Sequence, residues 1–328
     1  MKQRVFGKTG VEVTEVGLGC WQLGGSCWGG MDEERAFSIM RTAVDEGIRF
    51  FDTADVYGPG QSEEFIGRFL QDCAEEIFVS TKVGRFPEPG WPENFEMDVM
   101  RRQVEASLRR LQVECIDLLQ LHSLNMEQIE GYGLFDKMRV LQKEGKIRRF
   151  GASVESMDEA LACMEYEGLT SLQIIFNIFR QKPIDVLFDK AKAKGVALII
   201  RLPLASGLLA GKLTKDSKFA EGDHRTFNVD GQAFSVGETF AGLGLAKGVQ
   251  LADAMKKWVA EGMSMAQMAM RWILDYDAVS VVIPGASRAE QVVSNASASE
   301  LAPLSEELHE RLRRFYGTKV KKHVRGKY

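Results

Sequence analysis

The chain has 328 residues, 45% hydrophobic and 27% charged, with a formal net charge of −4. Folding at this length takes roughly 53,000 Å² of surface down to roughly 13,500 Å², enough for a large core without crosslinks. The composition excludes a disordered or collagen-like chain, and no basic excess points to nucleic acid or an anionic membrane. No apolar run reaches the ~20 residues of a membrane span, because Arg201 and Pro203 break the best candidate, 196–210. The opening Met-Lys-Gln-Arg-Val-Phe-Gly-Lys lacks a signal-peptide apolar segment, and five cysteines without close pairs suit a reducing compartment. A cytoplasmic globular protein is expected, read as one domain over 1–328.

Residues 1–15 come first and read as an N-terminal β-hairpin, with Gly7-Lys8-Thr9-Gly10 at its turn, set to cover one end of a barrel. Eight short apolar or β-branched runs follow, at 15–20, 48–53, 77–83, 116–122, 147–153, 172–177, 196–202 and 279–283. Their near-continuous apolar character marks strands buried on both faces, as in a parallel sheet.

Helix signals lie between them. Asp32 precedes Glu33 and Glu34, with Ala36, Ile39, Met40 and Ala43 on one face and Gly47 at the end. Ser62 precedes Glu63 and Glu64, then Phe65, Ile66 and Phe69. Met100, Val104, Leu108 and Leu111 repeat at helical spacing, and Ser156-x-x-Glu159, Ser264-x-x-Gln267 and Ser287-x-x-Glu290 match the capping box. Strand and helix alternating eight times predict an α/β fold, the (β/α)8 TIM barrel.

One interval is long. More than seventy residues separate strands seven and eight, and the Gly-, Ser- and Phe-rich stretch 212–248 within them reads as a lid loop. Residues 317–328, with Lys319, Lys321, Lys322, Arg325 and Lys327, read as a solvated basic tail. Two nucleotide motifs fail on inspection. Gly17-Leu-Gly19 has Gln22 where a third glycine is needed, and Gly207 to Leu213 is one residue short of a P-loop and lacks its hydroxyl.

Barrel chemistry sits at the C-terminal strand ends. Those ends supply Asp52 and Tyr57 after strand two, Lys82 after strand three and His122 after strand four. Singly, each has an ordinary structural use as a turn cap, a packed ring, a snorkelling amine or a core imidazole. Jointly they place a carboxylate, phenol, ammonium and imidazole on one rim. A phenol is a reluctant acid at neutral pH; a neighbouring ammonium favours its ionised form, and a carboxylate keeps that ammonium charged and oriented. Such a set can polarise a carbonyl and protonate the developing alkoxide. No His/Cys/Asp/Glu cluster has metal-ligand spacing, and no Ser or Cys nucleophile has a local base partner.

Asp52-Thr53-Ala54-Asp55-Val56-Tyr57-Gly58, followed by Ser62-Glu63, resembles the signature of the aldo-keto reductase family, bacterial type with a short C-terminal tail. Ser80-Thr81-Lys82-Val83, Asp117 to His122, Gly151-Ala152-Ser153, Pro203 to Leu208 and Ile283-Pro284-Gly285 continue the resemblance in order. It implies a (β/α)8 barrel holding NADPH, or NADH, across its C-terminal face, and a small carbonyl or alcohol substrate: an aldehyde, ketone or sugar. By the same resemblance Tyr57 would donate the proton, Lys82 and Asp52 would tune it, and His122 would orient the carbonyl. Ser153 and Gln173 would meet the carboxamide. Trp21, Asp52, Arg201, Pro203, Leu204, Ser206, Leu208 and Lys212 would follow along the cofactor, and Gly285, Ser287, Arg288, Gln291 and Asn295 would hold the adenosine end.

The residues also argue the last point: a helix N-terminus at Ser287 with Arg288 beside it suits a 2′-phosphate, hence NADPH. Three departures from the family pattern are Val154 where many members have Asn, Arg201 where many stack an aromatic ring, and Gly285 and Ser287 where some have lysine. For the substrate wall the candidates are Trp21, Trp28, Phe86 and Trp91, joined by Tyr57 and His122, with His224 and Arg225 of the lid in reach. A cofactor-binding regulatory subunit and a lyase using Lys82 as Schiff-base nucleophile are the competing expectations.

Overall fold

The computed structural model describes residues 1–328. β1 (Gln3–Val5) and β2 (Glu12–Thr14) pair antiparallel and carry Phe6 and Val13 into one end of the barrel. There the Phe6 ring lies 6.0 Å from Phe50 and 5.5 Å from Phe78, both at strand beginnings. The hairpin therefore plugs the end opposite the chemistry with fully buried aromatic surface.

Eight strands follow as one parallel sheet: β3 (Leu18–Gly19), β4 (Phe50–Asp52), β5 (Phe78–Val83), β6 (Leu118–Leu124), β7 (Phe150–Val154), β8 (Leu169–Ile175), β9 (Ala197–Arg201) and β10 (Val279–Val282). Parallel bridges Val16–Val282 and Gly19–Gly285 join the last strand to the first and close the sheet. Closure leaves no edge strand, as the eightfold alternation requires. The runs and the strands coincide closely. The first is shorter than its apolar run, and β8 starts earlier because Leu169 pairs with Phe150.

Around the barrel run α1 (Glu33–Asp45), α2 (Gln61–Asp72), α3 (Met97–Leu111), α4 (Met126–Gly131), α5 (Leu134–Lys143), α6 (Met157–Cys163), α7 (Lys182–Val186) and α8 (Phe188–Lys194). They continue with α9 (His224–Phe227), α10 (Leu245–Met255), α11 (Met265–Leu274), α12 (Ala289–Ala296) and α13 (Glu306–Phe315). Asp32 caps α1 by accepting from Arg35 N. Full capping boxes start α6 at Ser156 and α11 at Ser264.

Two other caps differ from expectation. Ser62 lies inside α2, fully buried, where its hydroxyl accepts from Thr53 and donates to Cys20 O at 2.9 Å. It ties the Tyr57 turn to β3. At the start of α12 Ser287 bonds Gln291 Oε1 through its N–H and hydroxyl, so Glu290 never closes the box.

The segment 212–248 ends inside α10, and what precedes it packs as α9 and short 3-10 turns. The basic residues of the C-terminal stretch are exposed as expected, and Lys319, Lys321 and Lys322 are solvated, but the last four residues are fastened to the body. Arg325 donates to Gly242 O and Asp230, Lys327 pairs with Glu159, and the Tyr328 hydroxyl meets Tyr316 at 2.8 Å. The Arg180 guanidinium lies 4.4 Å from the Tyr328 ring centroid. A charge run is solvated only where its charges lack fixed partners, and Arg325 and Lys327 have them. No helix is long and apolar enough to cross a membrane.

Candidate active site

At the C-terminal end of the barrel, β4 brings Asp52 and the following turn brings Tyr57, while β5 and β6 bring Lys82 and His122. The turn is locked by a backbone approach that only glycines permit: a Cβ on Gly58 would lie 2.2 Å from Gly24 O, and one on Gly24 2.4 Å from the Tyr57 carbonyl carbon. Lys82 is wholly buried and its ammonium donates three hydrogen bonds, to Asp52 Oδ1 at 2.5 Å, Thr53 O at 2.7 Å and Tyr57 Oη at 3.3 Å. A buried ion pair endures only when its remaining polar sites are matched. Asp52 Oδ2 meets that demand by accepting from Ser80 Oγ, Gln120 Nε2 and Gln173 Nε2 at 2.8–3.1 Å.

Electrostatics follow from this geometry. Burial pushes the Lys82 ammonium down, but Asp52 outweighs it and holds the group charged, above its ordinary value. Burial pushes the Tyr57 phenol up, and Asp52 adds to that, so the opposing Lys82 charge does not make a phenolate. His122 is held well below its ordinary value, first by burial and then by Arg85, Lys82 and Arg201, and is a neutral imidazole at pH 7. Its ring stands edge-on to Tyr57 at 6.1 Å, with Nδ1 buried and unpartnered.

A cleft of about 440 Å³ runs from this centre across the barrel mouth. It is lined by Trp21, Trp28, Asp52, Tyr57 and His122, by Ser153, Gln173, Arg201, Pro203, Leu204, Ser206 and Lys212, and by Gly285, Ser287, Arg288, Gln291 and Asn295. Its lining combines amide and hydroxyl groups with the cations Arg35, Arg201, Lys212, Arg225 and Arg288. Arg201 Nε and Gln22 Oε1 are buried in its wall without partners. These residues fit a dinucleotide with a carboxamide at one end and phosphates toward the other.

Several expected residues lie elsewhere. Leu208 is buried under Gly248, and Lys82 sits behind Tyr57 rather than on the cleft wall. Phe86 and Trp91 are not on the cleft wall: Asn94 Nδ2 holds the Phe86 backbone carbonyl, and the Trp91 ring packs 5.5 Å from Phe95 and 4.7 Å from Tyr132. In their place the segment 212–248 supplies wall. Buried His224, pushed down to about 4 by burial, backs Trp21 and Trp28 at 4.9 and 4.6 Å, while Arg225 reaches the cleft itself. Arg201 pairs with Glu238 at 3.2 Å and donates to Val154 O.

Ser80, Gln120, Arg35 and Glu238 escaped the sequence reasoning. Ser80-x-Lys82 and Gln120-x-His122 repeat at the two-residue period of one strand face, a signal that could have found the first two. Arg35 on α1 donates to Ser287 O at 2.6 Å and lines the cleft. No local pattern announces it.

A closed parallel barrel with a buried Lys-Asp pair behind a phenol at the mouth of a polar cleft has the layout of a barrel enzyme able to move a proton to or from an oxygen in that cleft. The chain matches the model of the Aldo/keto reductase family over residues 15–316 and belongs to that family, whose members are oxidoreductases using NAD(P)H on small carbonyl compounds. It is 30% identical to the aldo-keto reductase YhdN of Bacillus subtilis (strain 168) over 300 residues, 89% of this chain and 87% of that one. It is 26% identical to the NADH-specific methylglyoxal reductase of Escherichia coli (strain K12), covering 96% of this chain and all of that protein. The solved structure of aldo-keto reductase AKR11C1 from Bacillus halodurans, in its holo form, superposes with a TM-score of 0.78 at 27% identity over 96% of both chains.

Proposed function

We propose that the protein reduces an aldehyde, ketone or sugar with NADPH, or oxidises the corresponding alcohol, with Tyr57 as the proton donor. One observation carries this. Lys82 donates to the Tyr57 oxygen and uses its other two N–H bonds on Asp52 and Thr53 O. The phenolic hydrogen is therefore not engaged by the lysine and is available to an oxygen in the cleft. The bound nicotinamide cofactor supplies hydride to the carbonyl carbon. Tyr57 gives its proton to the carbonyl oxygen as negative charge develops there, and the fixed ammonium behind it stabilises the phenolate left behind. Neutral His122 orients that oxygen without competing as an acid.

Two competing functions fit less well. A Schiff-base lysine needs a depressed pKa and an approach path, whereas Lys82 is fully buried, ion-paired and pushed up. A purely regulatory barrel would have no need of the Asp52 support, and the relatives named above are called reductases.

For the cofactor, Arg288 follows Ser287, whose carbonyl accepts from Arg35, so two guanidiniums sit close together on the cleft wall. Arg288→Ala should weaken NADPH about tenfold or more, as for a lost charge-assisted hydrogen bond, and leave NADH within about threefold. Arg35→Ala should act the same way, more weakly. The measurement is quenching of the five tryptophans during titration with each cofactor. Equal loss for both cofactors would remove the 2′-phosphate role, and tighter NADH binding by the unaltered protein would overturn the NADPH preference.

A further inference from the structure

Arg85 follows β5 and stands beside the reaction centre as a cation with no carboxylate partner. The one hydrogen bond its side chain makes is a long donation from Nη1 to Ser123 Oγ, 3.4 Å, and its Cζ lies 5.9 Å from the Phe234 ring centroid. Arg85 is not itself on the cleft wall; it stands behind Ser123, which is, and close enough to act on His122. Ser123 follows His122, lines the cleft, and is held at a φ of 55°, an uncommon conformation for a residue with a Cβ. Phe234 packs 5.9 Å from Trp21, which in turn stacks on Tyr57.

The other charges in this region are matched. Lys82 pairs with Asp52, Arg201 with Glu238 and Arg225 with Asp223. Glu155, beside Glu238, is pushed up by burial and by that neighbour, which weakens it as a counter-charge. Arg85 also acts on Glu238 from a distance, so two guanidiniums, Arg85 and Arg201, face one ionised carboxylate; the surplus is positive, and Arg85 is the one without a direct ion pair. Its field reaches the centre: after burial, it is the next cause holding His122 neutral. A guanidinium with one weak bond and an aromatic support retains a planar fork of donors, the shape that grips a carboxylate through two parallel bonds.

We infer that the carbonyl substrate of this enzyme carries a carboxylate, which Arg85 holds while Tyr57 and His122 engage the carbonyl. The inference rests on the reductase function proposed above and adds the substrate class to it. Arg85 is then a specificity-determining residue rather than part of the proton-transfer set.

The test compares 4-carboxybenzaldehyde with 4-carbamoylbenzaldehyde, which share ring and shape but differ in charge. The unaltered protein should favour the carboxylate by about 10- to 100-fold in kcat/KM, mostly through KM, the range of a charge-assisted hydrogen bond. Arg85→Gln should abolish that preference and leave the amide within about threefold. Arg85→Lys should retain part of the preference, and added salt should erode it in the unaltered protein. Equal use of both aldehydes by the unaltered protein would overturn the inference while leaving the reductase function standing. So would a parallel loss of both substrates in Arg85→Gln with Arg85→Lys no better. Reduction of neither aldehyde with either cofactor would overturn the reductase function and the inference with it.

Discussion

Tyr57→Phe should lower kcat for carbonyl reduction by about 10²- to 10⁴-fold, the usual contribution of a positioned general acid. The change removes one oxygen and little else. The ring keeps its contacts with Trp21 and His122, each at 6.1 Å, so the cleft retains its shape. Lys82 keeps Asp52 and Thr53 O and loses only its longest bond. Cofactor dissociation constants should therefore stay within a few-fold, measured by the same fluorescence titration. The pH profile adds a second check. Since burial pushes the Tyr57 phenol above its ordinary value, the acid form persists through pH 9, and reduction should fall only in more alkaline solution. Single-turnover rates that survive the substitution would assign the proton to another donor.

The barrel was legible because strands buried on both faces leave unbroken apolar runs, and each of the eight became a strand or its immediate neighbour. The proton-transfer set was legible for a different reason: charged or aromatic polar residues at consecutive strand ends have few alternative explanations together. What escaped lies in three physical categories. Ser80 and Gln120 are short interruptions of apolar runs, and only the two-residue period of a strand face reveals that they point inward beneath Asp52. Arg35 and Glu238 reach the cleft from elements distant in the chain, so nothing local marks them. Phe86 and Trp91 were drawn wrongly onto the wall because a loop beyond a strand end can turn either way. This one turns outward, fixed by Asn94 and Tyr132. In the C-terminal run composition found the exposed charges, but not the Asp230, Glu159 and carbonyl groups that receive Arg325 and Lys327.

Asp55 supplies a test that needs no substrate. It belongs to the same turn as Tyr57, is 1% exposed, and neither carboxyl oxygen has a hydrogen-bond partner. Burial, with the charge of Glu63 beside it, pushes its pKa from 3.8 up to about 8 against a smaller opposing pull from Arg110. Below pH 4 the carboxyl is neutral folded or unfolded and costs nothing. Between pH 4 and pH 8 the unfolded chain releases the proton and the folded chain keeps it, so stability falls as pH rises. Above pH 8 the penalty is complete. A span of about four pH units at about 1.4 kcal/mol each makes it roughly 6 kcal/mol. Asp55→Asn preserves the shape and cannot ionise. Urea denaturation should therefore show the variant gaining on the unaltered protein steadily from pH 5 to pH 8, then holding a constant advantage at pH 9. An advantage independent of pH would mean that Asp55 is solvated or ion-paired in solution. A variant less stable at every pH would mean that its carboxyl makes a bond the asparagine cannot replace.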